Sequence, residues 1–330
     1  MNFVERTDLE QGFAQRFQTD VWPKLEALES ERIERLSKAR KSVALSLGGA
    51  AALIAAIIGI FGLEDMGLFA VIVVGALGIV GAFAFRGSQA KEWGSSVSEA
   101  VMPAICDHVG DLKYTKSGGY FPLGEVRDLR LVGGYSNSAL SDNVSGVYRD
   151  TTFEVTQALL TTKTQDSKGN TQTTTVFSGL LFHIGVPMPV PAPILITRDR
   201  GAVGNKLGEV FSFGSKGRAM AKVNFDHDAF EAAFEVYSDD PDGAHRIMPP
   251  AFLESLVKIG ETEGGKKGTK AMVAGFKDDN FYLALSRKGG FMEMGKLTRS
   301  VTDMEDDLHS VFSDIEIVRR IIDRLHGVEL

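Results

Sequence analysis

Between Val43 and Phe85 the chain carries only two charged residues, Glu64 and Asp65. They divide two apolar runs: Val43 to Leu63, whose single polar side chain is Ser46, and Met66 to Phe85, which has none. At about 1.5 Å of rise per residue, each run makes a helix on the order of 30 Å long, the thickness of a bilayer core. Lipid offers no partners for backbone amides, so both runs are expected as helices. The pattern predicts a transmembrane helical hairpin over 42–86, with spans 43–63 and 66–85 and a tight Glu64-Asp65 connection. A signal peptide does not fit, because about forty residues precede the first run and a second run follows at once. The remaining alternative, a buried hairpin in a soluble core, is disfavoured by the full spanning length of both runs.

The flanks carry a different periodicity. Phe13, Phe17, Val21, Leu25 and Leu28 recur every three or four residues, one face of a helix within an amphipathic segment over 1–41. Thr7 with Glu10 forms a capping box at its start, and Pro23 predicts a kink or restart. Val97, Val101, Ile105 and Leu112 repeat likewise in a helical segment over 87–112, where Ser96 and Glu99 form a second candidate capping box. The two flanks either pack together as a stalk or dock separately on the rest of the protein. Arg32, Arg35, Lys38, Arg40 and Lys41 precede the first run, and Arg86 and Lys91 follow the second. By the positive-inside rule both termini are expected in the cytoplasm.

From Lys113 the texture changes to β-rich segments bounded by Gly, Asp or Asn. Thr152 to Leu160, Thr173 to His183, Ile194 to Thr197, Ala219 to Val223, Phe234 to Tyr237, Lys270 to Phe276 and Phe281 to Ser286 read as strands. Lys277-Asp278-Asp279-Asn280 makes the last two a hairpin, and Gln165 to Asn170 reads as an exposed loop. Helices are predicted over Pro241 to Ile259, broken at Pro249-Pro250, and over Asp303 to Leu325. The fold class is therefore a membrane-anchored α+β protein: a transmembrane hairpin, cytoplasmic helical flanks and a mainly antiparallel α+β soluble domain over 113–330.

Composition adds limits. The net charge of −7, without a basic stripe beyond the membrane flank, argues against nucleic-acid binding. One cysteine, Cys106, excludes an intrachain disulfide and sits beside an apolar stripe, where burial is expected. Neither run holds an ionisable group, which argues against a proton relay or ion path. Small residues recur at Ala44, Gly48, Ala52 and Ala56, and at Gly75, Gly78 and Ala82. Such stripes let helices approach closely, pairing the runs within one chain or forming a homo-oligomer through Gly48, Ala52, Gly75 and Gly78.

Catalytic motifs fail one by one. Gly260, Gly265 and Lys266 imitate a phosphate loop, but Lys267 stands where Ser or Thr must hold magnesium. A solvated Gly/Lys loop is expected instead. Ser238 to Gly243 resembles a calcium loop, yet Pro249 occupies the position of its final carboxylate. Asp240 is better read as a helix cap with Pro241 in the first turn. The histidines His108, His183, His227, His245, His309 and His326 are scattered, without zinc spacing, so no metal and no cofactor is expected. His227, beside Asp226 and Asp228, is read as part of a turn before the strand at Phe234. If the protein is an enzyme, Asp142, Glu154 and Asp240 are the carboxylates to try first.

Several stretches carry a resemblance: Trp22-Pro23-Lys24-Leu25-Glu26 with Glu31-Arg32, Asp142-Asn143-Val144-Ser145-Gly146, Phe177-Ser178-Gly179-Leu180, Phe234 through Asp240, Pro249-Pro250-Ala251-Phe252-Leu253, and Ile321-Ile322-Asp323-Arg324-Leu325. In this order the chain resembles a bacterial family of two-span inner-membrane proteins with a C-terminal cytoplasmic domain of unknown function. The resemblance implies an inner-membrane location and a LemA-type membrane protein as partner. It also leads one to expect a carboxylate after Phe153 where this chain has Gln157. Together these readings favour a membrane-tethered scaffold or binding module at the cytoplasmic face, with the bilayer as its first partner. The competing reading is a membrane-associated enzyme with a carboxylate-based site.

Overall fold

The computed structural model of the protein describes residues 1–62, 65–110, 112–165, 169, 171–198 and 220–326. They form two compact units: Met1–His108 with Glu293–Phe312, and Val109–Met292 with Ser313–Leu330.

The first unit is helical. A single turn α1 (Phe13–Arg16) runs into a π-helical turn, Phe17–Val21, and then into α2 (Trp22–Phe61), 40 residues long. Pro23 falls in the first turn of α2, where its missing N–H has no partner to lose, so the expected restart occurs here without a kink inside the helix. Gly62, at φ 68°, ends α2, and α3 (Asp65–Val109) returns for 45 residues. Leu63 and Glu64 lie outside the described residues. Both helices are long and apolar enough to cross a membrane, and 0% and 6% of their most apolar windows are buried.

Beyond those windows α2 and α3 bind each other. Arg35 pairs with both Glu31 and Glu92, and the Ser96 hydroxyl donates to Glu31 at 3.2 Å. The two flanks thus pack on each other, in a unit that also includes Glu293–Phe312. Because α3 is continuous through it, Ser96 and Glu99 cap no helix start; Ser96 instead bonds across to α2 and back to the Glu92 carbonyl. The Thr7/Glu10 box does form, around the short 3-10 turn Asp8–Glu10. Phe13, Phe17, Val21 and Leu25 are fully buried, as are Val97, Val101 and Ile105. Phe13 lies edge-on to Phe312 at 4.9 Å, and Phe3 stacks on His309 at 4.7 Å.

The second unit is built on an antiparallel sheet of nine described strands. They are β1 (Leu112–Ser117), β2 (Asn137–Tyr148), β3 (Thr151–Gln165), β4 (Thr171–Gly185), β5 (Ile194–Arg198), β6 (Ala221–Val223), β7 (Phe234–Ser238), β8 (Met272–Lys277) and β9 (Asn280–Ser286). Their spatial order is β1-β2-β3-β4-β9-β8-β5-β7-β6. Each predicted strand is present, while β1 and β2 had no counterpart in the sequence reading. Residues 166–168 and 170 of the proposed exposed loop, and Ala219 of the strand expected over Ala219 to Val223, lie outside the described residues. The Asp278-Asp279 turn has both residues at positive φ, the backbone a tight two-residue hairpin requires.

Short helices α4 (Leu123–Asp128), α5 (Asp228–Glu231) and α6 (Pro241–Ile247) decorate the sheet, and α7 (Pro250–Glu263) and α8 (Glu305–Leu325) are longer. The break between α6 and α7 falls at Pro249-Pro250 as expected. On one sheet face Phe121, Val126, Leu129, Leu131 and Val132 pack over Ala158, Leu160, Leu181 and Tyr282. On the other, Phe252 of α7 lies 5.5 Å from Phe276 and 5.8 Å from Phe281. Consecutive strand residues point to opposite faces, which is how Phe281 and Tyr282 serve both layers. Gly179 explains part of the Phe177-Ser178-Gly179-Leu180 stretch. A Cβ there would lie 2.1 Å from the Leu285 carbonyl oxygen, so only glycine lets β4 approach β9.

Candidate functional site

On the sheet face beneath α4 a polar row crosses β2, β3, β4 and β9. Strand register places Glu154 opposite His183 and His183 opposite Tyr282. Buried Asn143 donates from its amide to Glu154 Oε1 at 2.8 Å and to the Tyr120 carbonyl at 3.2 Å. The His183 ring stacks on Tyr282, centroids 5.0 Å apart and planes 4° from parallel, with Phe121 edge-on at 6.5 Å. Its Nε2 lies 3.0 Å from Asn280 Oδ1, while the Asn280 amide donates to the Asp278 carbonyl. Asn280 therefore presents an acceptor, and Nε2 carries the ring proton.

That tautomer leaves Nδ1 as a lone pair facing Glu154 Oε2 at 3.9 Å. Two acceptors confront each other across a gap too long for a direct hydrogen bond. Burial pushes the Tyr282 hydroxyl up to about 12, with Glu125, Asp278 and Tyr120 adding to the effect, so the phenol stays a neutral donor. Beside it Lys277 bonds Glu125 and lies 3.6 Å from Asp128, and the Glu125 bond raises the lysine above its ordinary range.

The three carboxylates singled out from the sequence go to different sets of partners. Asp142 sits at φ 51° in a β-bulge of β2, and its buried Oδ1 accepts from the Tyr114 hydroxyl at 2.6 Å and from Lys116 Nζ at 2.8 Å. The bulge turns it toward edge strand β1, which it fastens to the sheet. Glu154 belongs to the polar row. Asp240 caps α6 by accepting from Gly243 N at 2.9 Å, with Pro241 in the first turn. The structure does not bring the three together. Asn143, His183 and Asn280, which join Glu154, were missed as a group because register, not sequence spacing, assembles them.

Other expectations resolve locally. His227 caps α5 through its ring nitrogen. Gly265 and Lys266 are exposed, as a solvated segment requires, within 3-10 turns over Gly265–Ala271 that are interrupted at Gly268, φ 53°. Cys106 is buried, and desolvation raises its thiol to about 11, with Asp107 adding to the effect. Gln157 Oε1 accepts from the Phe291 backbone N at 3.1 Å, a task that needs an oxygen and no charge. Among the described residues no group of three or more His, Cys, Asp or Glu side chains is placed to hold a metal ion.

With this geometry in hand, residues 175–326 match the family described as protein of unknown function (DUF3137). The match covers less than half of the chain. The DUF3137 stretch begins inside β4 and extends through α8, so it contains His183, Asp240, Asn280 and Tyr282, whereas Asp142, Asn143 and Glu154 precede it. No curated protein matches the chain. The crystal structure of the mycobacterial trehalose monomycolate transport factor A, TtfA, is similar at 10% identity and a TM-score of 0.30, covering 74% of this chain and 96% of its own. A superposition that loose transfers neither fold nor activity.

Proposed function

We propose that this protein is a membrane-tethered binding module. In this reading α2 and α3 cross the bacterial inner membrane as a hairpin, both termini are cytoplasmic, and the sheet unit works at the inner face. The observation that carries it is the outward placement of the apolar windows. Leu45, Leu53, Ile60, Phe69, Ile72, Leu77, Val80 and Phe83 are each more than half exposed. Burying a side chain of this size is worth roughly 1.5–3 kcal/mol, so leaving eight in water costs on the order of 10–20 kcal/mol. That rivals the whole stability of a typical domain, about 5–15 kcal/mol, and lipid removes the cost. The charge distribution supports the orientation, since cations flank only the open end of the hairpin.

A binding role rests on how the candidate carboxylates are used: Asp142 fastens β1 and Asp240 caps a helix. A LemA-type membrane protein is the partner the family resemblance suggests. Alkaline carbonate extraction of cell membranes tests the tether. The full chain should remain in the pellet, and its release into the supernatant would sink the proposal. Co-expression with a LemA-type protein should then yield a complex that survives detergent purification; two proteins that separate on size exclusion would remove that partner.

A further inference from the structure

The open end of the hairpin carries a collar of cations without acidic partners. Several contacts define the register of α2 against α3: Glu31 with Ser96, Arg35 with Glu92, and Gly78, whose Cβ would meet that of Ala50. Carried along both helices, this register sets Arg86 opposite Lys41 and Ser42. Arg40, Lys41 and Arg86 thus share one level, just outside the apolar windows, and Lys91 lies about 7 Å further from them at 1.5 Å per residue. All four side chains are exposed.

No Asp or Glu occurs from Leu36 to Gly62 or from Met66 to Lys91. The acids below the collar are already engaged: Glu34 with Lys38, and Glu31 and Glu92 with Arg35. Among the described residues Arg40, Lys41, Arg86 and Lys91 form no ion pair. Three uncompensated cations at the boundary of an apolar belt, with a fourth about 7 Å beyond, match the phosphate layer of an acidic leaflet in sign and in place along the helices. Free anions would meet the same charges but would gain nothing from the apolar belt beside them.

We infer that this collar selects anionic phospholipids, holding their headgroup phosphates between Arg40, Lys41, Arg86 and Lys91. The inference rests on the membrane reading above. Each such cation near an anionic surface is worth a factor of about five in association.

The test uses the full chain in nanodiscs of mixed phosphatidylcholine and phosphatidylglycerol, with the lipids retained after gentle detergent release counted by native mass spectrometry. The wild type should retain phosphatidylglycerol several-fold above its bulk fraction, and high salt should remove that excess. The combined variant Arg40→Gln, Lys41→Gln, Arg86→Gln and Lys91→Gln should retain lipids in the bulk ratio. The paired control Lys38→Gln should keep the wild-type excess, and Arg↔Lys exchanges at the four positions should largely restore it. Equal retention by the wild type and the combined variant overturns the collar. So does tight binding of inorganic phosphate by the wild type in pure phosphatidylcholine discs with no phosphatidylglycerol excess in mixed ones. A chain that never enters the discs defeats the membrane reading instead, so the two failures are distinguishable.

Discussion

The side-chain oxygen of Gln157 accepts a hydrogen bond from the backbone N–H of Phe291 at 3.1 Å. Phe291 is buried and precedes Met292, which sits at φ 53°, so this bond helps hold an unfavourable backbone turn. Gln157→Leu leaves the N–H without its acceptor and should cost about 1–3 kcal/mol. Gln157→Glu keeps an acceptor and should cost less. Hydrogen exchange at the Phe291 amide is the measurement: fast exchange in the leucine variant and retained protection in the glutamate variant are expected.

Asp314 works on the same segment. It accepts from Arg287 at 2.7 Å and from Met292 N at 2.8 Å, with its side chain 3% exposed. Burial is the main influence on its carboxyl and raises it above the ordinary range, against the pull of Arg287. Asp314→Ala strands both donors and should destabilise the sheet unit by about 3 kcal/mol. Urea unfolding followed by tryptophan-independent circular dichroism reads this loss, and an unchanged midpoint would contradict the role.

Glu29 gives a pH dependence of defined sign. It accepts two bonds from Arg32, at 2.9 and 2.7 Å, and one from Val301 N at 3.2 Å. The Arg32 bond is the main cause that lowers its carboxyl below the ordinary range. Its stabilising contribution is therefore complete above the unfolded glutamate range and lost as pH falls through the lower folded value. In Glu29→Gln that part of acid destabilisation should vanish. Thermal melts of the full chain in detergent between mildly acidic and strongly acidic buffer should run flatter for the variant, and parallel curves would refute the assignment.

The small-residue stripes separate into two classes. A Cβ on Gly78 would lie 2.7 Å from that of Ala50, and one on Gly75 would lie 3.8 Å from Ile54, whereas Gly48 has nothing within 4 Å and Ala52 is exposed. Gly78→Leu should force α2 and α3 apart and lower the detergent melting temperature. Gly48→Leu should leave the folded monomer intact. If Gly48 and Ala52 instead mediate a homo-oligomer, Gly48→Leu will convert a larger species to monomer in light scattering. Identical behaviour of the two variants would contradict this division of the stripes.

Features set by near neighbours were legible from residue order alone. Apolar run length, proline positions and turn residues act over a few neighbours, so the two long helices, the Pro249-Pro250 break, the Asp278-Asp279 hairpin and the Asp240 cap could be read directly. Features that depend on distant neighbours could not. β1 is short and pairs on one side only, and β2 owes its course to β1, β3 and a bulge between Ser141 and Val144. The second capping box failed because α3 runs on through Ser96, where packing against α2 outweighs a local stop signal. The polar row exists only once β2, β3, β4 and β9 lie in register, joining Asn143, Glu154, His183 and Asn280 across more than a hundred residues of chain. Sequence by itself determined the apolar hairpin, the antiparallel α+β class and the local caps, because those follow from nearest-neighbour chemistry. Tertiary structure decided which carboxylates share partners, which glycines touch and which cations stay unpaired, because each of those depends on contacts that chain order does not contain.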